Sequence, residues 1–345
     1  MSQLFSRLAT IALCAAAFAL AFFAPGPGYA EDFLGGKSIR LMVATPPGGG
    51  YDVYARLVAR YLREYLPGHP AIAVNNMAGA SGMTGANWLY EIAPRDGTVF
   101  GTFNKSEPFY EALGEAGARF KSEQFSWIGS LSQAPDTVNV SDRAGVKTIE
   151  EAKQREVTIG ADSGGTMTLY PALLNATIGT RFKIVTGYPG SAAVYHAIEL
   201  NEVQGVGSTP WATWKATRPD WIREGRILAL VQVGLKKDPD LPDTPRLIDL
   251  ATSEEETKLF GFVSAVANME RPYALPPGAP PEVLNIYRQA FNRMTDDAAF
   301  RAEAQKLNLD LDPQTGEAVE KIVHQILSTP PDIVARVRAL MAVSR

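Results

Sequence analysis

The sequence predicts an α/β protein of two units, each a mostly parallel sheet flanked by helices. Three observations carry this. Short apolar runs alternate with amphipathic helical patterns from residue 38 onward, an order that sets parallel strands between helices. The alternation breaks off and restarts around "TVNVSDRAG", residues 137–145. The chain, at 345 residues, is long enough to bury two cores.

The elements follow in order. Residues 1–30 read as a secretory signal peptide: Arg7 is the positive start, "LATIALCAAAFALAFF" the apolar stretch, and Gly28 and Ala30 the small residues before a cut. The apolar run is short for a membrane span of about 20 residues, and "PGPGYA" follows it rather than basic residues. The single cysteine, Cys14, falls inside this leader. An exported chain of about 315 residues without disulfides must then rely on an ordinary hydrophobic core. Losing Arg7 takes the formal charge from -4 to -5. That mild acidity argues against a nucleic-acid partner, which would call for a basic stripe.

"SIRLMVA" (38–44) is the first strand. "YDVYARLVARYLREYL" is a helix whose Val53, Leu57, Tyr61, Leu62, Tyr65 and Leu66 share one face, and Pro67 and Gly68 stop it. "AIAVNN" is a second strand, "ANWLYEIA" a helix, and "DGTVFGTFN" a turn and third strand. The second unit repeats the rhythm. "TIEEAKQ", "TLYPALLNATIG" and "AAVYHAIELNE" read as helices, and "VTIGA", "FKIVTGY" and "ILALVQVG" as strands. "KKDPDLPDTPRLIDL" interrupts the pattern. "PYALPPGAPPEVLNIYRQAF" is an extended segment, a turn and a helix; "DDAAFRAEAQKLN" and "TGEAVEKIVHQILS" are two more helices.

The strand-to-helix junction "TPPGGGYD" carries the first chemistry. Pro46 and Pro47 hold the backbone extended. Gly48, Gly49 and Gly50 permit positive φ and leave no Cβ between backbone and ligand. The helix that follows presents unpaired N–H groups and its positive end, an anion site. Asp52 stands at the cap position, where it closes the turn. "AGASGMTGAN" repeats the arrangement at the next junction, and ligands collect at the carboxyl ends of parallel strands. The competing reading is a tight turn that merely requires glycine.

"IRLMVATPPGGGYDVYARLVARYL" resembles the N-terminal signature of the substrate-binding proteins of tripartite tricarboxylate transporters, the Bug receptors. "NNMAGASGMTGAN", "GADSGGTMTLYPALL", "VTGYPGSAAV", "KKDPDLPDTPRLIDL" and "ALPPGAPPEVL" match that family's later landmarks in order. The resemblance implies a two-lobe, Venus-flytrap periplasmic binding protein of type II-like form. Lobe 1 would be residues 31–136 plus 271–345, and lobe 2 residues 137–270. It implies ligand-binding roles for Pro47, Gly48, Gly49 and Asp52, for Ala78, Gly79, Ala80 and Ser81, for Ser163, Gly164, Gly165 and Thr166, and for Tyr188, Gly190 and Ser191. The ligand would be a small organic carboxylate held by backbone N–H groups and waters. The receptor would work as a monomer with membrane transporter subunits, without a cofactor. Met77 and Ser81 depart from the usual Pro and Gly. "VQGVGSTPWATW" replaces the usual Asp-containing strand end, bringing Trp211 and Trp214 near the expected cleft. Their flat indoles suit an aromatic ligand portion; lobe packing is the alternative.

Enzyme patterns fail on context. "ADSGG" (161–165) is like a serine-protease nucleophile stretch, but the one upstream histidine, His69, sits in a turn of an α/β pattern. No G-x-S-x-G elbow occurs, and "GGKS" lacks the earlier glycine of a phosphate loop. His69, His196 and His324 have no ligand-spaced partners for a metal. A binding role is expected rather than an enzyme, with a sensor feeding a signalling system, or less readily a hydrolase or isomerase, as alternatives.

Overall fold

A computed structural model describes residues 34, 36–163 and 165–343. The signal-peptide reading falls outside them. The first sheet contains β1 (Ser38–Val43), β2 (Ala71–Asn76), β3 (Val99–Thr102), β4 (Ser126–Ser132), β10 (Glu270–Leu275) and β11 (Gln314–Thr315), in the order β11-β4-β10-β3-β1-β2. The second contains β5 (Asp136–Ser141), β6 (Val157–Gly160), β7 (Phe182–Val185), β8 (Gly205–Pro210) and β9 (Ile227–Val233), in the order β7-β6-β8-β5-β9.

Both sheets are mixed, not mostly parallel as expected. β1 pairs in parallel with β2 and β3, and β6 with β7 and β8. β10 runs antiparallel to β3 and β4, and β5 antiparallel to β8 and β9. The physical reason is connectivity. Strands inside β-α-β units are parallel, because the crossover helix carries the chain back to the end of the sheet where the first strand began. β5 instead comes straight from β4 of the first sheet, and β10 comes, after the helix Glu254–Ala265, from β9 of the second; neither belongs to a β-α-β unit of its own sheet, so nothing imposes that direction on them.

The sheets are clothed by α1 (Gly50–Leu62), α2 (Met83–Glu91), α3 (Glu107–Ala112), α4 (Ile149–Ala152), α5 (Thr166–Ile178), α6 (Ser191–Glu199), α7 (Trp211–Thr217), α8 (Pro219–Arg223), α9 (Glu254–Ala265), α10 (Pro281–Asp296), α11 (Ala298–Lys306), α12 (Gly316–Leu327) and α13 (Pro331–Val343). α1 forms where the apolar spacing placed a helix, but its buried face is Tyr54, Leu57, Val58 and Leu62. Val53 and Tyr61, expected on that face, are half-buried at its margin. The sequence pattern did not reveal β4, β5, β11, α3, α7, α8, α9 and α13, several of them short or weakly periodic. α13 packs on α5 and α9, and its Arg338 Nε donates to the Leu113 carbonyl at 2.7 Å, tying the C-terminal helix to both halves. None of the helices among the described residues is long and apolar enough to cross a membrane.

Candidate functional site

A cavity of about 640 Å³ lies between the two sheets, a size suited to a small-molecule ligand. Its wall contains the starts of four helices: Gly49 to Tyr51 of α1, Gly82 before α2, Thr166 and Met167 of α5, and Gly190 to Ala193 of α6. Each of these helices follows the carboxyl end of a parallel strand, β1, β2, β6 or β7. Each has glycine at its cap, Gly49, Gly82, Gly165 and Gly190, with no side chain bonded to the free N–H groups. Elsewhere α4, α9, α11 and α12 begin with Thr148, Ser253, Asp297 and Thr315, whose side chains do accept from the first turn. At α1, α2 and α6 the donors and positive dipole end are left for something other than a capping side chain, whereas at α5 the Gly165 N–H already donates to Asp162.

The first turn is shaped by Asp52. Its carboxylate accepts from Gly48 N at 3.0 Å, from Arg56 Nε and Nη2 at 2.9 Å, and from Asn76 Nδ2 at 2.9 Å. Burial alone would raise this carboxyl; the Arg56 pair, the Gly48 N–H and the Asn76 amide hold it below its ordinary value. Pro47 and Gly48 are exposed, and Gly48 takes a positive φ of 81°. Pro47, Gly48 and Asp52 therefore lie outside the cavity wall, where they build the turn that presents Gly49 and Gly50. In the second turn Ala80 and Ser81 have φ of 47° and 55°, a left-handed backbone unusual for residues other than glycine.

Of the other expected residues, Ala78, Gly79, Ala80, Ser81, Ser163, Thr166, Tyr188, Gly190 and Ser191 line the cavity. Gly165 does not; its backbone N–H donates to Asp162 Oδ1 at 3.0 Å, and a Cβ there would collide with that carboxylate. Gly164 lies outside the described residues. Trp211, 4 % exposed, is part of a packed cluster with Trp214, Trp221 and Tyr195. Trp214 stacks on Trp221 at 5.8 Å and meets Tyr195 at 4.2 Å. Neither Trp211 nor Trp214 belongs to the cavity wall, so the suggestion of an aromatic ligand portion has no support there.

Four charged residues in the wall escaped sequence reading: Lys105, Asp136, Asp162 and Glu270. Lys105, after β3, is buried; its Nζ donates to Asp136 Oδ1 at 2.8 Å and to Glu270 Oε2. Burial would lower this lysine, but the two carboxylates outweigh it and keep it charged. Asp136 and Glu270 open β5 and β10, the strands at the two chain crossings. Tyr170 Oη donates to Asp136 Oδ2 at 2.9 Å. Arg271, fully buried, places Nη1 3.2 Å from Glu270 Oε1, donates to Thr213 Oγ1 at 2.8 Å, and lies 4.0 Å from the Tyr54 ring centre. Only adjacency in space reveals this group, because its members are far apart in sequence. Among the described residues no three histidine, cysteine, aspartate or glutamate side chains are grouped to hold a metal.

No family model matches the chain. Over 315 residues it is 25% identical to a curated protein of Cupriavidus necator, "UPF0065 protein in gbd 5'region", covering 89% of this chain and 88% of that one. A TctC solute-binding protein from Polaromonas superposes with a TM-score of 0.59 at 21% identity, covering 89% of this chain and 98% of the other. A Rhodopseudomonas palustris protein with adipate gives 0.66 at 18% identity, over 88% and 97%. MatC of the same organism, with bound malate, gives 0.64 at 16% identity, over 88% and 98%. The resemblance carried by the motifs is the one these comparisons return. The fold is that of the two-lobe α/β periplasmic solute-binding proteins.

Proposed function

We propose that this solute-binding protein is exported, captures a small organic carboxylate in the cavity between its lobes, and delivers it to a tripartite tricarboxylate-type transporter. The observation that carries the reading is the convergence of four glycine-capped helix starts on one cavity. Backbone N–H groups and dipole ends attract an anion without any basic side chain. The lobes, residues 31–136 plus 271–345 and residues 137–270, would close over the ligand by hinge motion at the crossings before β5 and β10. The adipate and malate held by the structural neighbours are in keeping with a carboxylate ligand. The same neighbours favour binding over catalysis.

The test is thermal unfolding of refolded protein with di- and tricarboxylates, amino acids and neutral amides. A ligand specific to the folded state stabilises it by about 2.7 kcal/mol at a hundredfold excess over Kd. Gly49→Val is the informative variant. Gly49 has an ordinary negative φ of -83°, and an added Cβ meets nothing nearer than 3.8 Å, so the fold should tolerate it while a ligand on the turn should not. Unchanged affinity in this variant would remove the carboxylate from the first turn.

A further inference from the structure

The charge of the cavity constrains the ligand further. Lys105 is the one basic residue among the described residues of the wall, and both of its acidic partners, Asp136 and Glu270, belong to the same wall. Two of its three N–H donors and its whole charge are thus already matched by carboxylates of the wall. Arg271 is likewise engaged, with Glu270, Thr213 and the Tyr54 ring.

Asp162 is different. It is 7 % exposed, faces the cavity, and no ion pair with a basic side chain is found for it among the described residues. Ser81 Oγ donates to its Oδ2 at 2.8 Å and Gly165 N to its Oδ1 at 3.0 Å. Each carboxylate oxygen accepts more than one hydrogen bond, so both keep capacity for a donor from the ligand. The α5 start, one of the four anion-attracting helix ends, is thus already served by the protein's own carboxylate. A second anionic group of a ligand placed there would meet like charge in a desolvated site. A cationic donor would supply the missing counter-charge.

Resting on the carboxylate reading above, we infer that the cavity takes an amino acid, carrying an ammonium group as well as a carboxylate, rather than a di- or tricarboxylate that has no ammonium group. Its carboxylate would lie on the glycine-capped helix starts and its ammonium would donate to Asp162. Asp162 is then the residue that sets specificity.

Matched acids separate the two possibilities. Isothermal titration of refolded protein would compare glutarate with glutamate, and adipate with 2-aminoadipate and 6-aminohexanoate. At least one amino compound should bind about tenfold or more tightly than its diacid. In Asp162→Asn that preference should largely disappear. A diacid binding as tightly as its amino counterparts overturns the inference and leaves the carboxylate reading standing. So does an unchanged preference in a folded Asp162→Asn protein. Absence of binding by every carboxylate, with or without an amino group, overturns both. The wild-type comparison decides the matter even where the variant does not fold.

Discussion

The Ser81 hydroxyl donates to the Asp162 carboxylate at 2.8 Å, joining the second glycine-rich turn of one sheet to the start of α5 on the other. Burial raises the Asp162 carboxyl, and the Ser81 and Gly165 hydrogen bonds offset only part of that. An acid raised on folding favours the folded state while protonated. That contribution is fully present below the unfolded value of about 3.9 and is lost as pH rises through the folded value. Asp162→Asn keeps a carbonyl for the Gly165 N–H and a polar group beside Ser81. The ligand-free variant should therefore melt above the wild type at pH 7, with the gap narrowing towards pH 4. Calorimetry at the two pH values checks this; a variant that melts lower at pH 7 would contradict it.

Lys105 bridges carboxylates from both crossing strands. Lys105→Met leaves Asp136 and Glu270 buried together without their shared cation. It should cost about 3–5 kcal/mol in urea unfolding. Asp136→Asn should cost less, because Glu270 still pairs with the lysine. Equal stability of wild type and Lys105→Met would show that the triad contributes nothing.

Asp52→Ala removes the acceptor for Gly48, Arg56 and Asn76. A loss of about 1.5–3 kcal/mol is expected, the range for hydrogen bonds to a charged group. The Asp52 carboxyl is lowered on folding, so its contribution is present above the unfolded value and fades as pH falls through the depressed one. Acid unfolding of the variant should consequently be shallower. Its ligand affinity should also drop, although residue 52 lies outside the cavity wall, because the turn that presents Gly49 loosens. Affinity equal to the wild type would assign Asp52 to stability alone.

Gly48 and Gly50 should respond differently to alanine. Gly48 faces open space but has a positive φ, so Gly48→Ala should cost about 1–2 kcal/mol from backbone strain. At Gly50 a Cβ would lie 2.6 Å from Thr213 Oγ1 and 3.0 Å from Arg271 Nη2. Gly50→Ala should cost about 1–3 kcal/mol by overpacking and should also disturb the α1–α7 contact across the lobes. Thermal melts of the two variants side by side, with affinity measured in each, distinguish strain from overpacking.

The sequence by itself determined the α/β class, the two glycine-rich turns and the family resemblance. Periodicity and turn chemistry are local signals, and a β-strand, a glycine turn and an amphipathic helix such as residues 38–62 declare themselves within a few residues. The resemblance implied that Gly49, Ser81, Tyr188 and Ser191 share one site, and the fold brings them to one cavity wall because each follows the carboxyl end of a parallel strand. The tertiary structure decided what depends on distance in space. It turned β5 and β10 antiparallel, since strands entering from another sheet escape the β-α-β constraint. It put Trp211 and Trp214 into a packed cluster with Tyr195 and Trp221, where burial of their apolar surface outweighs any ligand contact. It also gathered Lys105, Asp136, Asp162 and Glu270 around the cavity. A charge written in sequence carries no record of its partner, and only the fold pairs Asp136 and Glu270 with Lys105 while setting Asp162 in the same wall with no basic partner among the described residues.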